Sequence, residues 1–395
     1  MSYPLVAISE FCKTGSGGTP SRKNPEYFEG NIPWVKSGEL RESVVLSTGE
    51  HISNLAVEKS SAKIVPKGAI LLAMYGATVG RMAMLGVDAA TNQAVCNIIP
   101  DESVAFPSYV YYALSNKVPQ FLNDAVGGAQ PNISQGLIKD TKILLPPLNE
   151  QKRIAAILDK ADSLRRKRQQ AIQLADQFLR SVFLDLFGDS ENKGWVLCTV
   201  EGLAENTKGS MRTGPFGSQL LHSEFTEDGI SVLGIDNAVK NKFKWAKPRF
   251  ISESKYESLK RFTVKPEDVL ITIMGTCGRC AIVPKDCPTA INTKHLCCIT
   301  LDQKKCLPSF LHSYFLQHPT ARKYLAKNSK GAVMDGLNMG IIKNMPIFLP
   351  PMDIQLKYAE ICNQVETLKN KLESSRSDSM DCFASLSQKA FAGEL

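Results

Sequence analysis

The apolar positions change period as the chain runs. Up to about residue 147 they fall in short runs such as Ala69–Met74, rich in β-branched and small residues and ending in Gly-rich turns, a texture that predicts strands. After Leu145-Pro146-Pro147 proline stops, glycine becomes scarce and the period becomes helical. Ile154, Ile157, Leu158, Ala161, Leu164, Ala171, Ile172, Ala175, Phe178, Leu179 and Val182 make one stripe. Strand texture returns after residue 190, with Val269–Met274 the counterpart of the earlier run, and Leu349-Pro350-Pro351 opens a second helical stripe. Tyr358, Ile361, Cys362, Val365, Leu368, Leu372, Cys382, Phe383 and Leu386 form it. Two helices of roughly 40 residues, each about 60 Å long at a rise of about 1.5 Å per residue, are predicted. Arg168 and Ser375 interrupt the stripes, and Glu373–Ser379 is polar and weakly helix-forming.

The return of the same textures reflects a duplication. Val65–Leu71 matches Val264–Leu270, and Gly76–Arg81 matches Gly275–Arg279 with one residue deleted. Asn92-Gln93 aligns with Asn292-Thr293, Gly136–Lys139 with Gly340–Lys343, and Leu145–Leu148 with Leu349–Met352. Each copy is a mixed globular part followed by a long helix. The predicted boundaries are 1–147 and 190–351 for the globular domains, 148–189 and 352–395 for the helices. A lone helix of this length would leave its stripe in water. Two in one chain can bury each other, and an antiparallel pairing satisfies the connectivity. The alternative is that each helix packs on its own domain.

Composition changes this picture little: 43% hydrophobic and 22% charged residues are ordinary for a globular chain. No apolar run reaches the ~18 residues of a membrane span, and the N-terminus lacks a signal-peptide pattern, so a cytoplasmic protein is expected. Eleven cysteines, an odd number, point to reduced thiols. Charge is more informative. The formal net charge is +8, while residues 1–147 carry 12 basic and 12 acidic side chains and residues 190–351 carry 22 and 14. A localised basic surface suits a polyanionic partner.

Catalytic motifs are not found. Cys277-Gly278-Arg279-Cys280 has C-x-x-C spacing, but Val79 and Met82 stand at the matching positions of the first copy, which argues against a redox or zinc centre. Asn24-Pro25-Glu26-Tyr27 has no counterpart in the second copy, and Gly15–Thr19 lacks the Gly-Lys-Ser/Thr of a P-loop. What recurs in both copies is Gly-rich turns and polar clusters carrying Thr, Arg, Asn, Gln and Lys, including Gln130–Ser134 and Gly336–Asn338. Those side chains clamp phosphates or pair with base edges.

Leu145-Pro146-Pro147-Leu148-Asn149-Glu150-Gln151-Lys152-Arg153-Ile154 is the most specific of these motifs. With Gly18-Thr19-Pro20-Ser21, Tyr75-Gly76-Ala77-Thr78-Val79-Gly80, Thr91-Asn92-Gln93-Ala94 and the closing Ala390–Leu395, it resembles the specificity subunits of type I restriction–modification systems, and the resemblance covers essentially the whole chain. It implies an α+β protein of two tandem repeats, each a globular α/β target-recognition domain followed by a long helix, the helices pairing as an antiparallel coiled coil. It further implies a non-catalytic chain that reads a bipartite, asymmetric site on double-stranded DNA, one half per domain, with the coil setting the spacer. The implied partners are two methyltransferase subunits and, through the complex, restriction/translocase subunits. No cofactor is expected on this chain, with S-adenosylmethionine, Mg and ATP held by partners; self-association of the isolated chain is a further expectation. The loop residues expected at DNA are Thr19, Lys36, Thr78, Arg81, Gln93 and Asn132 in the first domain, and Arg212, Ser218, Asn237, Arg279, Lys294 and Asn338 in the second. One departure is Pro350-Pro351-Met352-Asp353-Ile354-Gln355, which loses the equivalent of Glu150. The competing readings are a coiled-coil adaptor that binds no DNA, and a redox or zinc protein centred on Cys277 and Cys280.

Overall fold

The computed structural model describes residues 3–41, 43–124, 132–328 and 336–395. It divides into two compact units, Met1–Gln169 with Glu373–Leu395, and Gln170–Leu372. In the first, the strand Ile70–Ala73 is buried at every position because both its faces are covered. Ile70 and Leu72 point into a core shared with the helix Pro107–Asp124, whereas Leu71 and Ala73 face a second apolar cluster with Val35 and Leu85. The sheet around it runs in the order Cys12–Ser16, Val95–Pro100, Ile70–Ala73, Met82–Leu85, Val44–Val45. A second sheet holds a parallel pair, Ile32–Val35 beside Ala89–Thr91, and Leu5–Ala7 pairs with Lys142–Leu144 to join the two ends of the globular part.

The second unit repeats this plan. Its main sheet runs Met211–Thr213, Leu296–Ile299, Val269–Thr272, Cys280–Ile282, the parallel pair is Ile230–Leu233 with Ala290–Asn292, and Val196–Thr199 pairs with Pro346–Leu349. Strand register corrects one sequence alignment. Val35 stands opposite Thr91 and Leu233 opposite Asn292, so Asn292 corresponds to Thr91 rather than to Asn92, and Lys294 corresponds to Gln93.

The two long helices span Leu148–Phe187 and Met352–Ala392, and each contributes to both units. Within the first unit Ile154, Ala155 and Leu158, from the start of the first helix, share a core with Phe383, Leu386 and Ala390 from the end of the second. Within the second unit Phe183 and Phe187, from the end of the first helix, pack with Ile354 and Tyr358 from the start of the second. Start meets end in each unit, which is antiparallel pairing, and each pair of helix ends is also fastened to a globular domain. Phe187 anchors this contact, with ring centroids 5.0 Å from Phe310 and 5.3 Å from Tyr358.

The buried stripe is narrower than the one predicted from apolar positions. Leu164, Phe178 and Leu368 are exposed. Leu164 lies six residues beyond the buried Leu158, and Phe178 six beyond Ile172; at about 100° per residue each stands some 120° away from the buried line. Asp162 takes the inward position instead, 3% exposed and paired with Arg165 at 2.6 Å and Arg166 at 2.9 Å. The second helix passes unbroken through the polar segment at 373–379. Arg168 donates to the Ser379 hydroxyl, Arg376 donates to the Gln169 amide oxygen, and Ser379 donates to the Ser375 carbonyl. The polar interruptions of the two stripes thus satisfy one another.

The Leu-Pro-Pro-x-x-x-Gln motif has a structural cause. Gln151 is fully buried; its amide oxygen accepts from Phe106 N at 2.8 Å and its amide nitrogen donates to the carbonyls of Val104 and Pro146. Gln355 does the same with Leu307 N, Lys305 O and Pro350 O. In both copies one glutamine clamps the first turn of a long helix to the loop that opens a domain helix.

Candidate nucleic-acid interface

In the first unit the strand Cys12–Ser16 ends, Val95–Pro100 begins, Ile70–Ala73 ends and Met82–Leu85 begins at one edge of the main sheet. Backbone hydrogen bonds stitch the emerging loops together. Gly17 N donates to Val95 O, Gly18 N to Thr91 O, Asn92 N to Val35 O, Met74 N to Ala94 O and Ile133 N to Met74 O, all between 2.7 and 3.1 Å. A Cβ on Gly17 would strike the Thr91 carbonyl oxygen, so only glycine permits this approach. The edge therefore gathers all six residues named for this domain. Thr19, Arg81, Gln93 and Asn132 are exposed, while Lys36 and Thr78 are half-buried. Gln130 and Pro131 lie outside the described residues.

Arg81 sits at the end of a turn that places Gly80 at φ +80°, a conformation suited to glycine, and no ion pair holds its guanidinium among the described residues. Lys36 differs. Its ammonium pairs with Glu50, which also pairs with Arg22 at 2.5 Å, and the Lys36 contact is the leading cause that holds the Glu50 carboxyl below its ordinary range. The charge of Lys36 is therefore met within the domain. Arg41, which the motifs do not mark, shares a surface depression with Arg81.

The second unit builds the equivalent edge. A Cβ on Gly214 would strike the Asn292 carbonyl oxygen, Thr293 N donates to Leu233 O, and Ile273 N donates to His295 O. Gly278 has φ +74° and donates to Thr272 O, presenting Arg279 as Gly80 presents Arg81. Arg279 and Ser218 are exposed and Lys294 is half-buried.

Three residues expected at this edge are held elsewhere. Arg212 is 8% exposed and turned inward: it pairs with Asp268 at 2.6 Å and donates to the carbonyls of Gly209 and Thr263 and to the Thr300 hydroxyl. An arginine with four inward contacts is part of the core and offers no free fork to a base. Asn237 is 4% exposed; it accepts from Gly234 N and donates to Lys244 O, closing the loop between them. Asn338 is exposed but its amide oxygen accepts from Ile341 N as the N-cap of the helix Met339–Lys343. Ser134 plays that part in the first unit, so Asn338 corresponds to Ser134 and not to Asn132.

Cys280 lies on a core strand, and burial pushes its thiol well above its ordinary range, opposite to what a nucleophilic or redox thiolate requires. Among the described residues no helix is long and apolar enough to cross a membrane.

Residues 3–174 and 220–379 match the family described as type I restriction modification DNA specificity domain. The chain is 32% identical over 194 residues to the MjaIX specificity subunit of Methanocaldococcus jannaschii, covering 48% of this chain and 44% of that one. It is 32% identical over 163 residues to the EcoR124I/EcoR124II specificity subunit of Escherichia coli, covering 40% of each, so these matches span less than half of either relative. The M. jannaschii MjaVIII specificity subunit matches at 24% over 376 residues, 93% of this chain and 86% of that one. Among solved structures, the type I restriction–modification S subunit from M. genitalium superposes with a TM-score of 0.60 at 13% identity, covering 99% of this chain and 96% of that one. That likeness concerns the fold; the family match, which covers most of the chain, shows that this chain belongs to the type I restriction–modification DNA specificity family.

Proposed function

We propose that the chain is the sequence-reading subunit of a type I restriction–modification complex in the cytoplasm. In this reading each domain reads one half of a bipartite, asymmetric site on double-stranded DNA. The paired helices fix the gap between the halves and dock two methyltransferase subunits, through which restriction/translocase subunits join. The chain itself performs no chemistry, and S-adenosylmethionine, Mg and ATP act on the partners.

The observation that carries the reading is the doubled loop edge. Gly17 and Gly214, Gly80 and Gly278, and Arg81 and Arg279 recur in the same backbone setting, while the side chains between them differ. One scaffold with two chemistries suits two different half-sites, because base readout depends on side chains and positioning depends on the backbone. The named relatives, all specificity subunits, add support. Large apolar side chains left exposed on the long helices, among them Leu174, Phe178, Leu356 and Leu368, suit partner docking and also self-association of the isolated chain.

A genome-wide map of adenine methylation with and without the gene tests this. Loss of one split motif with a fixed gap is expected on deletion, and exchanging residues 1–147 for those of another specificity subunit should alter one half of the motif and leave the other and the gap in place. An unchanged map in cells that express the whole complex would refute the reading and favour an adaptor without DNA contact.

A further inference from the structure

Beside the recognition edge of the second unit lies a groove of about 1360 Å³. Gly278 and Arg279 form part of its wall, so the groove continues directly from the recognition turn. Lys244 and Trp245 come from the loop after Ile230–Leu233, Arg180 from the first long helix, and Arg322 from the helix Pro319–Asn328. Three acidic side chains in the lining are already met: Glu366 by Lys242, Asp176 by Lys369 at 2.5 Å, and Glu267 by Lys285 at 3.6 Å. Arg180, Lys244, Arg279 and Arg322 remain, all exposed and in no ion pair among the described residues, against Asp286 alone.

The loop that supplies Lys244 is built to hold its shape. Asn237 donates to Lys244 O and Lys244 N donates to Asn237 O, while Cys280 N donates to the Asn241 amide oxygen. Asn241 adopts φ +57° there. Trp245 is 55% exposed and packs edge-on against Phe243 at 5.2 Å. Lys240 and Lys247, in the same stretch of chain, are also exposed. At the matching turn of the first unit, Arg81 lines a depression of about 520 Å³ with Leu40, Arg41 and Met82.

We propose that this groove grips the sugar–phosphate backbone of duplex DNA next to the half-site read by the second unit, independently of sequence. Its surplus of unpaired cations beside a base-reading turn suits a run of phosphates, and the Trp245 indole offers an apolar face to the sugars. The proposal rests on the DNA-reading function above and assigns most of the electrostatic grip to one half of the molecule.

The test is the Lys244→Ala/Arg322→Ala variant of the full chain, assembled with its methyltransferase subunits, titrated against a short duplex of random sequence at several salt concentrations. Two lost phosphate contacts should lower affinity about tenfold or more at ~0.1 M salt and make the log–log salt slope shallower by nearly 2. The methylated motif should not change, and an unaltered melting curve will show that these exposed substitutions leave the fold intact. An unchanged slope overturns the proposal. So does a changed motif, which would make these side chains base readers. Unchanged duplex binding with loss of a methyltransferase subunit would make the groove a protein-docking face. Absence of duplex binding by the unsubstituted complex would instead defeat the function proposed above.

Discussion

The two units share a backbone and differ in what fills it. In the second, Asp268 sits 1% exposed at the centre of a polar cluster, accepting from Arg212, from Thr300 at 2.6 Å, from Lys265 N at 2.8 Å and from the Cys298 thiol at 3.1 Å. Strand register places Gly15, Ala69, Ile99 and Asn97 at the positions of Arg212, Asp268, Thr300 and Cys298 in the first. There the buried polar contact is a single hydrogen bond from Thr91 to Asn97 at 2.9 Å. Both solutions support the same strand order and the same stitched loop edge. The buried ion pair is therefore one local way of filling a register that the apolar strands already define, and its removal should matter only where the surroundings have been built around it.

That comparison yields the largest expected effect. Arg212→Ala strands the Asp268 carboxylate inside the second unit and should cost about 3–5 kcal/mol of its stability. Arg212→Met with Asp268→Leu, which removes both charges at similar volume, should recover most of the loss. Trp34 lies in the first unit and Trp195 and Trp245 in the second, so a Trp34→Phe background lets denaturant unfolding followed by fluorescence report on the second unit alone. A double variant as unstable as the single would mean that the pair itself, rather than the exposed need of one partner, holds this core.

A smaller effect should fall equally on both units. Gln151→Ala and Gln355→Ala each remove three hydrogen bonds and leave buried backbone groups unpartnered. Each should cost about 2–3 kcal/mol. Urea midpoints for the two variants that differ widely would show that the clamp is duplicated in geometry but not in consequence, and that the replacement of Glu150 by Ile354 at the matching position has weakened one side.

Why the clamp was legible in the sequence and the ion pair was not follows from distance along the chain. Gln151 lies five residues after Pro146, whose carbonyl it holds, and its motif recurs as a unit, so local spacing carries the signal. Arg212 meets an aspartate 56 residues away, and on its own it reads as a polar residue leading into a Gly-rich turn. The long helices were legible because a period of 3.6 persists for ten turns, yet their inner line was overdrawn, since apolar identity does not say which face a partner covers. Of the twelve expected contact residues the stitched edges gather those on turns, and lose Arg212 and Asn237 to the interior. The cations of the groove left a trace in the five basic residues interleaved with Phe243 and Trp245 over 240–249, but Arg180 and Arg322 belong to helices whose sequences give no hint of a shared wall.

The smallest expected difference between the units is in their response to acid. His318 is 2% exposed, stacked on Tyr314 at 4.1 Å, and accepts from Thr320 N at Nδ1 while its Nε2 faces Phe187 O. This pattern fixes the neutral ring with its proton on Nε2, and burial holds the folded-state pKa below the ordinary 6.5, with Phe187 O and Glu191 opposing more weakly. The unfolded chain therefore takes up a proton near pH 6.5 that the folded chain refuses. Stability from this site is full above pH 6.5 and is lost as pH falls from there towards the depressed folded value. The first unit has no such group, since its one histidine, His51, is exposed. His318→Gln should cost stability in the second unit near pH 8, and its deficit relative to the unsubstituted chain should shrink by pH 5, because only the unsubstituted chain pays the protonation penalty. A deficit constant across that range in pH-dependent unfolding would show that the ring stays buried in either charge state, and that Phe187 at the helix end, rather than the imidazole, decides how firmly the second unit holds its helices.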